Sequence, residues 1–212
     1  IAALEIRDWV NGRPGPMAAS RSGILFLGVG ASGAGKDTVI DGARAAFSSN
    51  RDIVFPHRSI TRPADAGGER HLAVSPEDFD AMSAKNAFAL SWQAHGLSYG
   101  IPADISKMLE QGKSVIANVS RGVIEEARQK FAKVHVLNVI VSESALRERL
   151  KARGRETEAE IEERIKRASA YDPPEGAVTT IDNSAAKETA ISEFVAAIRN
   201  AIEETKSASN ET

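Results

Sequence analysis

The sequence predicts a three-layer α/β fold in which helices cover both faces of a mostly parallel sheet. Three observations lead there. Continuous apolar runs recur along the chain, as strands buried on both faces require. Amphipathic helical patterns separate those runs. A glycine-rich stretch joins the first run to the first helix.

Regularity begins at Gly23. Residues 1–22 contain the breaker-rich Arg13-Pro14-Gly15-Pro16-Met17-Ala18-Ala19-Ser20 and read as a poorly ordered extension or fusion remnant, with Met17 a candidate natural start. Ile24 to Val29 is the first buried strand, and a helix is expected from Gly35 to about Phe47 with Val39, Ile40 and Ala43 on one face. Ser75-Pro76-Glu77-Asp78 supplies an N-cap, a first-turn proline and two acids that suit the helix dipole, and opens a helix burying Phe79 and Met82. A further helix runs from about Ala103 to Gln111 and stops at Gly112.

Ser114 to Val119 and Val134 to Val141 are the next strands, separated by an amphipathic helix marked by Val123, Ile124, Ala127 and Phe131. Ser142 caps a helix that ends at Gly154. The capping box Thr157-Glu158-Ala159-Glu160 opens another, with Ile161, Ile165 and Ala168 on its apolar face. Val178 to Ile181 is a short strand, and Ile191, Phe194, Val195, Ile198 and Ile202 mark the last helix. The domain proper spans 23–204, and residues 205–212 are a polar tail expected to fray from Lys206.

At 212 residues, one sizeable core is the natural outcome. A net charge of -2 gives no broad footprint for nucleic acid or an anionic membrane. No apolar run reaches membrane-spanning length, and Glu5, Arg7 and Asp8 stand where a signal peptide needs an apolar core. The absence of cysteine excludes disulfides and thiolate metal sites and fits a reducing compartment. The expectation is a cytoplasmic protein acting on a small molecule, with no nucleic-acid or membrane partner. A homodimer is compatible with it.

Gly30-Ala31-Ser32-Gly33-Ala34-Gly35-Lys36 fits the P-loop pattern of two glycines five apart followed by lysine. Each residue type suits phosphate. Glycines let successive backbone N–H groups turn toward an anion, the following helix adds the positive end of its dipole, and Lys36 reaches the β- and γ-phosphates. ATP is the implied cofactor, held by residues Gly30 to Thr38. Where serine or threonine usually offers a hydroxyl to Mg²⁺, this chain has Asp37, followed by Thr38. A carboxylate beside phosphates is repelled unless a cation intervenes, so Asp37 is expected to bind Mg²⁺ directly or through water. The alternative is that Asp37 points outward in the first helical turn.

Arg58, Arg62, Arg70 and His71 crowd the next segment among small residues. Arginine forks pair with phosphate, so a phosphorylated acceptor is expected; the alternative is a solvated basic loop. An acceptor phosphate is already ionised and needs charge neutralisation, whereas a hydroxyl needs a placed carboxylate as base. The sequence offers no strong candidate for such a base, with Asp65 the nearest to one.

These residues resemble the guanylate-kinase-like nucleoside monophosphate kinases over Gly23 to about Ile202: Gly30 to Lys36, Ile60-Thr61-Arg62, Val74-Ser75, His95-Gly96, Tyr99-Gly100, Pro102 and the Arg149 to Arg164 region. Within that superfamily the chain is most similar to the ribose 1,5-bisphosphate phosphokinase family of phosphonate degradation. That likeness rests on Gly33-Ala34-Gly35-Lys36-Asp37-Thr38, Thr61 to Glu69, Ala87 to Gly96 and Ala117-Asn118-Val119-Ser120-Arg121. It implies a guanylate-kinase-like P-loop NTPase fold with a small acceptor-binding region and a helical lid, and transfer of the ATP γ-phosphoryl group to the 1-phosphate of ribose 1,5-bisphosphate, giving 5-phosphoribosyl 1-diphosphate. Leu90 stands where guanylate kinases carry a glutamate for guanine, and no acid occurs around Asn118-Val119-Ser120. Guanine's N–H groups would then be buried unpaired at about 1–3 kcal/mol each. By resemblance Arg62 and Tyr99 hold the acceptor phosphate, and Trp92, Gln93, His95, Asn118, Ser120 and Arg121 are candidates for the sugar and its second phosphate. For Trp92 and His95 the alternative is packing. His57 and His135 read as structural or exposed.

Arg153 and Arg155 flank Gly154 at a break between two helices, where a lid would sit, whereas Arg147 and Lys151 read as a solvated face. By resemblance Arg153 and Arg164 close over the triphosphate. Asn183 follows the last strand, either near adenine or as a turn residue. Two other readings remain: another small-metabolite or nucleoside monophosphate kinase, and a catalytically silent interaction domain. The second has no use for Lys36 or lid arginines.

Overall fold

The computed structural model describes residues 22–63, 70–154, 156–169 and 175–210, so the extension at 1–21, Asp65 and Arg155 lie outside it. In chain order come β1 (Leu25–Gly30), α1 (Lys36–Ala46), β2 (Ile53–Val54), β3 (Ser59–Ile60), β4 (Leu72–Ala73), α2 (Pro76–Ala84), β5 (Phe88–Ala94) and β6 (Leu97–Pro102). Then follow α3 (Ile105–Glu110), β7 (Ser114–Asn118), a 3₁₀ turn (Arg121–Val123), α4 (Ile124–Lys130), β8 (Val134–Ile140), α5 (Glu143–Arg153), α6 (Glu158–Ser169), β9 (Val178–Asp182) and α7 (Lys187–Asn210).

The central sheet has the order β2-β7-β1-β8-β9, with every pairing parallel. Alternation along its strands explains the unbroken apolar runs. Phe26, Ile116, Leu137 and Val139 join one core with α1 and α7; Leu25, Leu27, Val115, Ala117 and Val136 join the other with α3 and α4. Full burial of such a side chain stabilises by about 1.5–3 kcal/mol, so both faces must stay apolar.

A second sheet, β4-β3-β6-β5, stands beside the first and is not anticipated by the sequence reading. Its centre is the antiparallel β5–β6 hairpin, which places Trp92 opposite Tyr99 with their rings stacked 5.3 Å apart. The hairpin turns at His95 (φ 52°) and Gly96 (φ 73°), the paired left-handed conformation a two-residue hairpin loop needs.

The caps form as the sequence suggests. The Ser75 hydroxyl accepts from Asp78 N at 3.0 Å, and the Ser142 hydroxyl accepts from Ala145 N at 3.3 Å. Thr157 N donates to the Glu160 carboxylate at 2.7 Å, and Glu160 N donates back to the Thr157 hydroxyl at 3.3 Å. That bond from Thr157 N holds the Glu160 carboxyl below its ordinary range. Helices α5 and α6 pack through Leu146, Leu150, Ile161 and Ile165, a small core of their own. One expectation is corrected: α7 continues past Lys206 to Asn210 instead of fraying, in keeping with the helix formers Glu203, Glu204, Lys206 and Ala208.

Candidate active site

Between β1 and α1 the chain makes a tight loop whose glycines are required by conformation and space. Gly33 and Gly35 sit at φ 95° and 81°, where L side chains are strained. A Cβ on Gly35 would stand 2.4 Å from Asn183 Nδ2, and one on Gly33 2.7 Å from Leu146 Cδ1. Gly35 also N-caps α1 without any side-chain cap, so the first-turn N–H groups remain available to an anion. The loop borders an open cavity of about 400 Å³, with Ser32, Lys36, Asp37 and Thr38 in its wall. Arg153 reaches the same cavity from the end of α5. Two cations and a helix dipole thus face one space the size of a polyphosphate.

Asn183 lies behind this loop. It is 2% exposed, its Nδ2 donates to the Ala34 carbonyl at 2.6 Å, and its own carbonyl accepts from Arg149 Nη2 at 2.6 Å. It is therefore placed to support the loop from below. Asn183→Ala leaves the buried Ala34 carbonyl without its donor and is expected to cost about 1–3 kcal/mol in urea unfolding. Arg149 is a residue the sequence reading did not single out. Its neighbours Arg147 and Lys151 pair outward with Glu143, Glu158 and Glu162, the solvated face expected of them.

Asp37 joins the cavity to a second group. Asn118, at the end of β7, donates through Nδ2 to Asp37 Oδ1 at 2.7 Å, and Lys36 Nζ stands 3.9 Å from the same oxygen. A narrow recess next to this pair is lined by Asp37, Asn118, Arg44, Arg58 and Arg70. The Arg58 guanidinium lies 5.2 Å from the Tyr99 ring centre and 5.8 Å from that of Trp92, which orients it by cation–π attraction. His71 Nε2 donates to the Arg62 carbonyl at 3.1 Å, so its Nδ1 is left as acceptor toward Arg62 Nη2 at 3.4 Å. Ser120 and Arg121 lie just past the end of β7. His95 is an exposed turn residue at the hairpin tip.

Arg164 is held elsewhere in this conformation, with Nη1 3.2 Å from Glu156 Oε1. It is not among the described residues that border the cavity. His57 donates from Nδ1 to the Arg70 carbonyl at 3.2 Å, and His135 lies 2.8 Å from the Thr179 hydroxyl with burial pushing its pKa down. Neither is placed in the cavity wall.

A family model for guanylate kinase matches residues 22–204. The chain belongs to the guanylate kinase family. Within that family it is similar to the ribose 1,5-bisphosphate phosphokinase PhnN of Rhizobium etli, 43% identical over 183 residues that cover 86% of this chain and 93% of that protein. It is 46% identical to PhnN of Agrobacterium fabrum over 78% of this chain and 91% of that one. It is also 41% identical to the bifunctional ribose 1,5-bisphosphokinase-thymidine phosphorylase of Azorhizobium caulinodans over 86% of this chain, while spanning 26% of that protein's length. Guanylate kinase from Anaplasma phagocytophilum shares the fold, with a TM-score of 0.56 and 21% identity over 84% of this chain and 85% of that one. The guanylate-kinase-like α/β fold anticipated from the sequence is the one observed. Against that family background, Leu90 is 1% exposed and packs in the core beside Ala89 and Ile101. It can offer no acceptor to a guanine.

Proposed function

We infer that this protein transfers the γ-phosphoryl group of ATP to the 1-phosphate of ribose 1,5-bisphosphate, yielding 5-phospho-α-D-ribose 1-diphosphate and ADP in the cytoplasm. One observation carries the reading: Asp37 borders both the phosphate-loop cavity and the recess lined by Arg58 and Arg70. An acceptor phosphate gathered by Arg58 and Arg70 beside this recess would meet the donor phosphates near Asp37.

The chemistry suits the groups present. An oxygen of the acceptor phosphate attacks the γ-phosphorus, the bond from that phosphorus to the bridging oxygen breaks, and ADP leaves with the electron pair. The attacking oxygen is already ionised, so no base is needed and the work is positioning and charge neutralisation. Gly30 to Thr38 hold the nucleotide phosphates, Lys36 and Arg153 neutralise the developing charge, and Arg164 joins them on exchanging Glu156 for phosphate. Arg58, Arg62, Arg70, His71 and Tyr99 hold the acceptor phosphate; Trp92, His95, Asn118, Ser120 and Arg121 face the sugar and its 5-phosphate.

Asp37, Thr38 and Asp41 give the cavity an all-oxygen donor set, which suits a hard cation. Mg²⁺ needs no protein cage, since one or two carboxylates, water and substrate phosphates complete its shell. When bound at Asp37 it neutralises charge on the β- and γ-phosphates.

An acceptor screen tests the assignment. ATP consumption is expected with ribose 1,5-bisphosphate, and GMP should be a poor acceptor because Leu90 leaves guanine's N–H groups unpaired. Turnover with GMP at the rate seen with the sugar bisphosphate would favour the nucleoside monophosphate kinase reading instead.

A further inference from the structure

In P-loop enzymes the magnesium ion is usually held by a neutral hydroxyl directly after the loop lysine and by an acid at the end of a neighbouring strand. Here the first position is Asp37, and the strand end is Asn118, whose strand runs parallel to β1 with Asn118 in register with Gly28. The two side chains meet at 2.7 Å although 81 residues separate them. An ionised carboxylate only accepts, so the amide nitrogen is the atom that faces it.

We propose that this chain exchanges the two halves of the usual seat: Asp37 supplies the charge from the loop, and Asn118 is the neutral positioning partner at the strand end. The inference rests on reading Asp37 as the carboxylate for the metal. The exchange conserves one negative charge. Two carboxylates at this separation would repel, and two neutral groups would leave neither position with a charge for the cation. The residues must therefore change together. Among the described residues, the Asn118 amide and Lys36 both approach Asp37 at Oδ1.

The exchange also has a consequence for specificity. Asp37 sits in the first turn of α1, where the helix dipole favours an acid. Asn118 borders the recess that contains Arg58 and Arg70. An acid there would oppose an incoming phosphate dianion, whereas an amide does not. Asp37 and Asp41 already line this recess, so an acid at position 118 would add a third negative charge against the acceptor, and the amide avoids it.

Four proteins test this: wild type, Asp37→Ser, Asn118→Asp, and the two changes combined. Asn118→Asp is isosteric but sets a buried carboxylate beside Asp37, so thermal unfolding checks that each variant folds. Mn²⁺ binding to each protein saturated with ADP is read by electron paramagnetic resonance. Asp37→Ser should weaken Mn²⁺ at least about ten-fold, and the combined variant should return it to within about three-fold of wild type. In kinetics, Asn118→Asp, which adds an acid to the recess, should raise KM for the sugar bisphosphate about ten-fold while changing KM for ATP much less. A combined variant no tighter than Asp37→Ser overturns the exchange. Equal rises in both KM values overturn its role in acceptor selection. If the wild-type protein with ADP takes up no Mn²⁺, the metal reading of Asp37 itself fails.

Discussion

Replacing Arg153 with alanine is expected to lower kcat by a factor on the order of 10³. Arg153 is the last residue of α5 and reaches the phosphate cavity just before Gly154 turns left-handed at φ 61°. Helices α5 and α6 share a small apolar cluster that Val141 joins to one of the cores flanking the sheet. The arginine is exposed, so stability in the free protein should change by no more than about 0.5 kcal/mol. Single-turnover kinetics combined with thermal unfolding separates these two effects. A variant with near-normal kcat would remove Arg153 from the transition state.

Lys36→Met carries the second large effect. Its side chain is 18% exposed and stands in the cavity wall at the start of α1. Loss of a fixed positive charge aimed at the β- and γ-phosphates is expected to reduce kcat by about 10²–10³. The Lys36–Asp37 ion pair is long at 3.9 Å with a half-exposed acid, so loss of that pair should cost the fold little, and thermal unfolding checks it. Unchanged kcat together with unchanged ATP affinity would mean that the loop holds no nucleotide.

The central layer and the phosphate loop could be read from the sequence because both are local patterns. Buried strands show as apolar runs, caps show as fixed residue pairs, and Gly30 to Lys36 is a contiguous motif. The second sheet is harder to see. Strands β3 and β4 are two residues each, too short to set a period. In β5 and β6 the alternation of Phe88, Leu90 and Trp92 with Tyr99 and Ile101 is present, and His95-Gly96 marks its turn, but Ala87 and Ala89 blur the polar phase.

The site was legible in its parts and not in its contacts. Asp37 could be flagged from the motif, yet its pairing with Asn118 depends on the sheet bringing distant residues together. Asn183 reaches Ala34 across 149 residues, which no local pattern encodes. Arg149 did leave a usable signal. It lies three residues after buried Leu146 and one before buried Leu150, on the flank that faces the loop, whereas Arg147 and Lys151 share the outer face four residues apart. Arg164 illustrates the opposite case: its sequence position suggests the lid, but in this conformation it is bound to Glu156.

Phosphorus NMR of the product made from ATP and ribose 1,5-bisphosphate probes the phosphate-to-phosphate transfer most directly. The 1-phosphate signal should be replaced by a spin-coupled diphosphate pair while the 5-phosphate remains a monoester. A third monoester signal, marking transfer to a hydroxyl, or an acceptor left unchanged while ATP is consumed would contradict it.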